Sequence, residues 1–261
     1  MNNTFWNLLF IGDVVAQAGC DKLKAALPAL KREKQIDICI ANGENSAQGN
    51  GMTPDSAEQL FSAGVDFITG GNHTFRRREI YDYLDNSLSV CRPANYKSDC
   101  PGRGFAVLDK GFVRVGVVNV LGTVYLEPLR NPFDCVDEAI AALSDEADFI
   151  VVDFHAEATA EKRAMGFYLD GRVAAVVGTH THVQTADAQI LENGTAYITD
   201  LGMTGPKRSV LGVTPELAIV KMRTQMPVRF QNPPGECCLQ GLLVQVDKRT
   251  RRAVSVEPIS L

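Results

Sequence analysis

The sequence is short of several things, and each shortage excludes a class of protein. No apolar run approaches the ~18 residues that span a bilayer as a helix, so no membrane-spanning segment is expected. The apolar stretch Phe5–Ile11 is brief, has no Lys or Arg before it and is soon interrupted by Asp13. It is therefore not read as a signal peptide, although Ala18-Gly19-Cys20 resembles a lipoprotein cleavage site, and a cytoplasmic location is expected. The 7 cysteines are odd in number and form no CxxC pair, which argues against a disulfide framework and a structural zinc site. Cys39, inside an apolar run, reads as a small core residue. Basic residues do not predominate: 26 Lys and Arg face 31 Asp and Glu, for a net charge of −5. Duplex DNA, which needs a basic face, is not an expected partner. There is no internal repeat, and no Pro/Gly/Ser linker long enough to divide the chain. At 45% hydrophobic and 22% charged, residues 1–261 are read as one globular domain.

What is present is an alternation of apolar runs and amphipathic stretches. Strands are expected at Phe5–Ile11, 36–41 and Phe67–Thr69, with helices at 22–32, from Pro54 to about Gly64, and at 78–84. Thr53-Pro54 and Thr214-Pro215 are helix-start signatures. Later, 105–108 and 113–118 flank a hairpin turn, and Asn193-Gly194 marks another. Buried strands are expected at 149–154 and 173–177, helices at 136–143 and 161–168, and a closing strand pair at 239–246 and 253–256. The order implies an α/β fold with a large mixed sheet or two stacked sheets flanked by helices.

The 4 histidines are the most informative residues. His73, His155, His180 and His182 each follow an apolar run, and so do Asp13, Glu44 and Asn72. All are expected just beyond the C-terminal end of a strand, the rim where open α/β sheets bind ligands. Imidazole, carboxylate and amide oxygen together are a ligand set for a two-metal hydrolytic site. His180 and His182, two residues apart, point the same way if the backbone between them is extended. Two divalent ions bring roughly +4, and Asp13, Glu44 and a hydroxide about −3. The balance near +1 attracts a phosphodiester.

Ile11-Gly12-Asp13, Asn42-Gly43-Glu44-Asn45, Gly71-Asn72-His73, His155 and Gly178-Thr179-His180-Thr181-His182 resemble the calcineurin-like metallophosphoesterases. The resemblance is closest to the bacterial YmdB-type branch. It extends through Arg92-Pro93-Ala94-Asn95, the 154–159 and 177–187 segments and 199–205, so it covers essentially the whole chain. The superfamily's usual Asp-x-His is Asp13-Val14-Val15 here, and its usual bridging Asp is Glu44. Both departures are those of that branch, where Asn45 fills the missing ligand position.

The resemblance implies a metallophosphoesterase-like sandwich of two mixed β-sheets flanked by helices. It implies one ion on Asp13, Glu44, Asn45 and His182, and a second on Glu44, Asn72, His155 and His180, with iron or manganese as the metals. The activity implied is hydrolysis of a phosphodiester small molecule, a 2′,3′- or 3′,5′-cyclic nucleotide, by in-line attack of a metal-activated hydroxide. His73 would protonate or stabilise the leaving alkoxide; the alternative is that it supports Asn72.

A second reading is a regulatory or RNA-binding protein with incidental phosphodiesterase activity, and the acidic net charge weighs against it. A di-iron redox protein would need Glu-x-x-His motifs on bundle helices, which are absent. Arg92 is left between phosphate binding and a surface ion pair, and Asp170 and Asp200 are read as turn or site-supporting residues. Thr179 and Thr181 are expected to favour extended backbone. Met203-Thr204-Gly205 is expected as a loop at the site mouth, and Arg76-Arg77-Arg78 as a solvated helix start or a contact to a nucleotide or RNA backbone. Substrate specificity is expected from loops 91–104 and 122–133, and the C-terminal strand pair suggests a homo-oligomer.

Overall fold

The computed structural model describes residues 4–261. The first part of the chain builds β1 (Phe5–Ile11), β2 (Asp13–Val14), β3 (Ile38–Asn42), β4 (Phe67–Thr69) and β5 (Val90–Cys91), with α1 (Ala16–Glu33), α2 (Pro54–Ala63) and α3 (Tyr81–Asn86) between them. The middle builds β6 (Phe105–Asp109), β7 (Arg114–Leu121), β8 (Phe149–His155), β9 (Ala175–Thr179), β10 (Gln189–Ile190) and β11 (Ala196–Ile198), with α4 (Pro132–Leu143) and α5 (Thr159–Leu169) as crossovers. The chain then returns to the first sheet through β12 (Met203–Pro206), α6 (Pro215–Thr224), β13 (Cys237–Asp247) and β14 (Ala253–Ser260).

The strand orders are β2-β12-β13-β1-β3-β4-β5, with β14 paired to β13, and β10-β11-β9-β8-β7-β6. Both sheets are mixed. β1, β3, β4 and β5 run parallel, as do β7, β8, β9 and β11, while β1–β13 and β6–β7 are antiparallel. The result is the expected sandwich of two mixed sheets with helices outside.

Continuous apolar strands are what this layering requires, because each inner strand is covered on both faces. In β1, Leu8 and Phe10 enter the layer between the sheets, while Leu9 and Ile11 face the helices with Leu23, Leu27 and Leu60. In β8, Phe149 and Val151 enter the inter-sheet layer, while Ile150, Val152 and Phe154 pack with Met165 and Val136. The inter-sheet face changes character at the C-terminal ends. Two residues on from an inward apolar residue stand Asn42, Thr69, Asn119, Asp153 and Thr179, all buried. A polar floor thus closes the apolar layer where the site will sit.

Local signals explain the boundaries. Thr53 caps α2 through Ser56 in a reciprocal capping box, Pro54 opens the helix, and Gly64 closes it at φ +110°. Two expectations change. Helix α1 begins at Ala16, six residues before the expected start, because its first turn packs on β12 through Gly19. A Cβ at Gly19 would collide with the Thr204 carbonyl, so packing outweighs glycine's poor helix propensity. The segment 203–205 is not a mouth loop but buried strand β12, paired in parallel to β2 with Met203 beside Asp13. Arg76 and Arg78 lie in two short 3-10 turns ahead of α3.

Candidate metal centre

The first sheet supplies the oxygen-bearing side chains. Asp13 opens β2 and is fully buried. Its Oδ2 accepts the His180 backbone N–H at 3.1 Å, whereas Oδ1 has neither solvent nor a hydrogen-bond partner among the described residues. Glu44 lies two residues beyond β3, its N–H held at 3.1 Å by Oδ1 of Asn42 in an Asx turn. Its Oε2 accepts the His73 N–H at 2.9 Å, and Oε1 accepts Asn45 Nδ2 at 2.9 Å. Gly71 lets these groups close in, since a Cβ there would lie 2.5 Å from Nε2 of His155 and would overlap Oε2 of Glu44.

The second sheet supplies three of the four imidazoles, and in each the outward nitrogen is held by an acceptor. His155 ends β8, fully buried, with Nδ1 2.8 Å from Oγ1 of Thr179. That hydroxyl donates its only proton to Oδ1 of Asp153 at 2.7 Å, so His155 Nδ1 must be the donor and Nε2 faces the site. His180 Nε2 lies 3.0 Å from the Glu157 carboxylate, leaving Nδ1 turned inward. His182 Nδ1 donates to the Leu211 carbonyl at 3.1 Å, and its Nε2 faces Oδ1 of Asp13 at 3.5 Å.

The inward atoms converge. Nε2 of His155 lies 3.0 Å from Nδ1 of His180, 3.1 Å from Oδ1 of Asn72 and 3.4 Å from Oε1 of Glu44. With the outer nitrogens donating, all four are lone-pair donors, and none can bond another without a proton or a cation between them. Glu44, His155 and His180 together meet the spacing of a metal-binding group. The orphaned Oδ1 of Asp13 faces the same space, so the residues fit divalent metal.

Electrostatics agree. Burial alone would raise Asp13 and Glu44, but the neighbouring histidines outweigh it and hold both carboxyls below their usual range. Burial opposes charge on His155 as well, yet Glu44 and Asp13 push it up to about 9. His180 is lowered by burial and by the charge of His155. Burial raises Asp153 to about 6 despite the hydrogen bonds from Thr69 and Thr179.

All the sequence-predicted site residues gather here: Asp13, Glu44, Asn45, Asn72, His73, His155, His180 and His182. Three details differ from expectation. The backbone at His180 and His182 is not extended; φ is +103° and +62°. These left-handed bends still turn both rings inward, and the buried carboxylate of Asp200 fixes them by accepting the Thr181 N–H at 3.0 Å and the Gly202 N–H at 2.9 Å. Asp200 is in turn paired at 2.7 Å with Lys162, also buried. Asn45 turns its amide nitrogen, not its oxygen, toward Glu44 and His182, while Oδ1 accepts from His73 Nδ1 at 2.9 Å. Arg92 takes neither expected role; it is buried and donates to the carbonyls of Pro93, Lys97 and Pro101. Asp170 is the turn residue expected, holding Asn193 and Thr195.

Sequence reasoning missed Asp153, Thr179, Lys162 and Glu157. The signal for Asp153 and Thr179 was parity: each continues the inward-facing series of its strand near the C-terminal end. Beside the cluster opens a cleft of ≈ 380 Å³ lined by Glu44, His73, His180, Asn50, Leu211 and Phe230, among others. No residue of loops 91–104 or 122–133, where specificity was expected, lines it; its walls come instead from the 44–50 and 211–232 segments.

Comparison with known proteins follows the same lines. Residues 9–259 match the profile of a family described as YmdB-like protein. A 2′,3′-cyclic-nucleotide 2′-phosphodiesterase from Bacillus subtilis is 46% identical over 252 residues, covering 97% of this chain and 96% of that protein. Among solved structures, a hypothetical protein from Thermus thermophilus superposes with TM-score 0.91 at 39% identity, over 98% of each chain. A phosphatase from Mycoplasma pneumoniae superposes with TM-score 0.93 at 36% identity, over 100% of this chain and 94% of the other.

Proposed function

Because this chain belongs to the YmdB-like family, whose relatives include phosphodiesterases, we propose that it is a dinuclear-metal phosphodiesterase opening the ring of a 2′,3′-cyclic nucleotide, with 3′,5′-cyclic nucleotides as the second candidate. It is a hydrolase acting on phosphodiester bonds, and the name of the 46%-identical relative supports a 2′,3′-cyclic nucleotide as the substrate. The observation that carries the metal part is the convergence of Nε2 of His155, Nδ1 of His180, Oδ1 of Asn72 and Oε1 of Glu44, which need a proton or a cation between them, with Oδ1 of Asp13, buried without a hydrogen bond, beside them.

In this reading Asp13, Glu44, Asn45 and His182 hold one cation, and Glu44, Asn72, His155 and His180 hold the other. Bound there, two divalent ions, iron or manganese, would acidify a water and offset charge on the phosphate oxygens. The protein's own contribution is to aim these ligands and to serve the leaving group. His73 lines the cleft, and its Nε2 makes no hydrogen bond among the described residues. Asn45 must flip its carboxamide to offer oxygen to a cation, which turns Nδ2 toward Nδ1 of His73. Oε1 of Glu44 also lies 3.2 Å from Nδ1; with that carboxylate turned to a cation, Nδ1 accepts from Nδ2 and the ring proton sits on Nε2, where it can pass to the departing ribose oxygen.

The test is turnover of 2′,3′-cyclic nucleotides by protein loaded with Mn²⁺ or Fe²⁺, with product analysis. Absence of turnover with either metal, or full activity in His155→Ala, would overturn the proposal.

A further inference from the structure

The cleft beside the metal-ligand cluster has two walls of different character. Leu211, Val213 and Phe230, from the segment that carries α6, make one wall apolar. Leu211 is 48% exposed and Phe230 50%, and Phe230 is the one phenyl ring lining the cleft among the described residues. The other wall is the 47–50 loop. There Gly49, Asn50 and Gly51 follow one another at φ +74°, +81° and +81°. Asn50 alone of the three carries a side chain in this disfavoured region. Arg77 holds the loop, donating from its guanidinium to the carbonyls of Gln48 and Asn50. That use absorbs the middle arginine of the 76–78 run. The clamp leaves the Asn50 carboxamide exposed and without a hydrogen bond among the described residues. Gln48 Nε2 donates to Asn232 Oδ1 at 3.3 Å, which joins the two loops at one end.

Neither wall is needed to hold metal or phosphate. An exposed aromatic face and a free carboxamide, in one cleft that also contains His73 and Glu44, suit the part of a nucleotide that lies beyond its phosphate. We propose that this cleft is the nucleobase subsite: the base stacks on Phe230, and the Asn50 carboxamide hydrogen-bonds its edge. Stacking accepts any base, whereas a carboxamide pairs bidentately with the N6/N7 edge of adenine, so adenine is the preferred base. The inference deepens the phosphodiesterase reading and rests on it for the identity of the ligand.

Two readouts test it, one of which needs no turnover. The first is the ratio of kcat/KM for 2′,3′-cyclic AMP to that for the base-free diester 1-O-methylribose 2′,3′-cyclic phosphate. Phe230→Ala should lower this ratio roughly 10-fold, the effect of losing one base–aromatic stack. Phe230→Trp should preserve it. Asn50→Gly, which suits the left-handed backbone, should lower the preference for 2′,3′-cyclic AMP over 2′,3′-cyclic UMP. The second readout is calorimetric affinity for adenosine 3′-monophosphate, which should weaken by a similar factor in Phe230→Ala. An unchanged ratio together with unchanged affinity in Phe230→Ala overturns the subsite, as does a wild type with no measurable affinity. A wild type that hydrolyses neither diester yet binds the nucleotide through Phe230 overturns the phosphodiesterase reading and leaves the subsite standing.

Discussion

The Thr179 hydroxyl lies 2.8 Å from Nδ1 of His155 and hands its own proton to Asp153, so one hydroxyl decides which nitrogen of the histidine faces the site. Thr179→Val, which keeps shape and removes that acceptor, should weaken metal binding about 10- to 100-fold. Thr179→Ser should retain it. Calorimetric titration of metal-free protein with Mn²⁺ measures both, and wild-type affinity in the valine variant would refute the role.

His73 is assigned to the leaving group and not to the metals. His73→Gln should therefore lower kcat on a 2′,3′-cyclic nucleotide by roughly 10²–10⁴-fold. The loss should be much smaller on bis-p-nitrophenyl phosphate, whose leaving group needs no proton, and metal content should be unchanged. Equal losses on the two substrates would point instead to support of the ligand set.

The buried pair of Lys162 and Asp200 anchors the turn that carries His180 and His182. Lys162→Met should cost about 3–5 kcal/mol of unfolding free energy, because it strands a buried carboxylate. Adding Asp200→Asn should recover part of that loss. Urea denaturation of the single and double variants is the measurement.

Removing metal should expose a pH dependence of definite sign. In metal-free protein, burial disfavours charge on His155, but Glu44 and Asp13 raise it from 6.5 to about 9. A raised histidine adds stability that is complete below about 6.5 and is lost as pH climbs through about 9. The melting temperature of chelator-treated protein should fall over that window, and His155→Gln should flatten the slope. Saturating Mn²⁺ should reverse it, because the ligand must shed its proton to bind. A flat profile in wild-type apoprotein would contradict the electrostatic account.

The layered fold and the gathering of the polar motifs at one rim were legible in the sequence because both rest on pattern. A strand such as Phe5–Ile11, apolar but for Asn7, calls for cover on both faces, and short polar motifs at the ends of such strands mark the rim. What was hidden depends on tertiary packing. The start of α1 is set by the close approach of Gly19 to Thr204, and nothing in the local sequence announces it. The left-handed backbone of His180 and His182 is imposed by Asp200, twenty residues away from the first of them. The role of Asp153, inside the expected 149–154 strand, was hidden because its partners, Thr69 and Thr179, come from two other strands.

The division of the site between the sheets has a consequence for how the protein matures. Asp13, Glu44, Asn45, Asn72 and His73 come from the first sheet and its loops, and His155, His180 and His182 from the second. In the proposed assignment neither group alone completes a coordination sphere, and the last proposed ligand, His182, is made only after most of the chain has been synthesised. Ions held in that way would bind only after the two halves dock, and would then act as rivets between them. Their removal would loosen the seam between the sheets first, and would present the polar floor around Asp153 to water before either sheet comes apart.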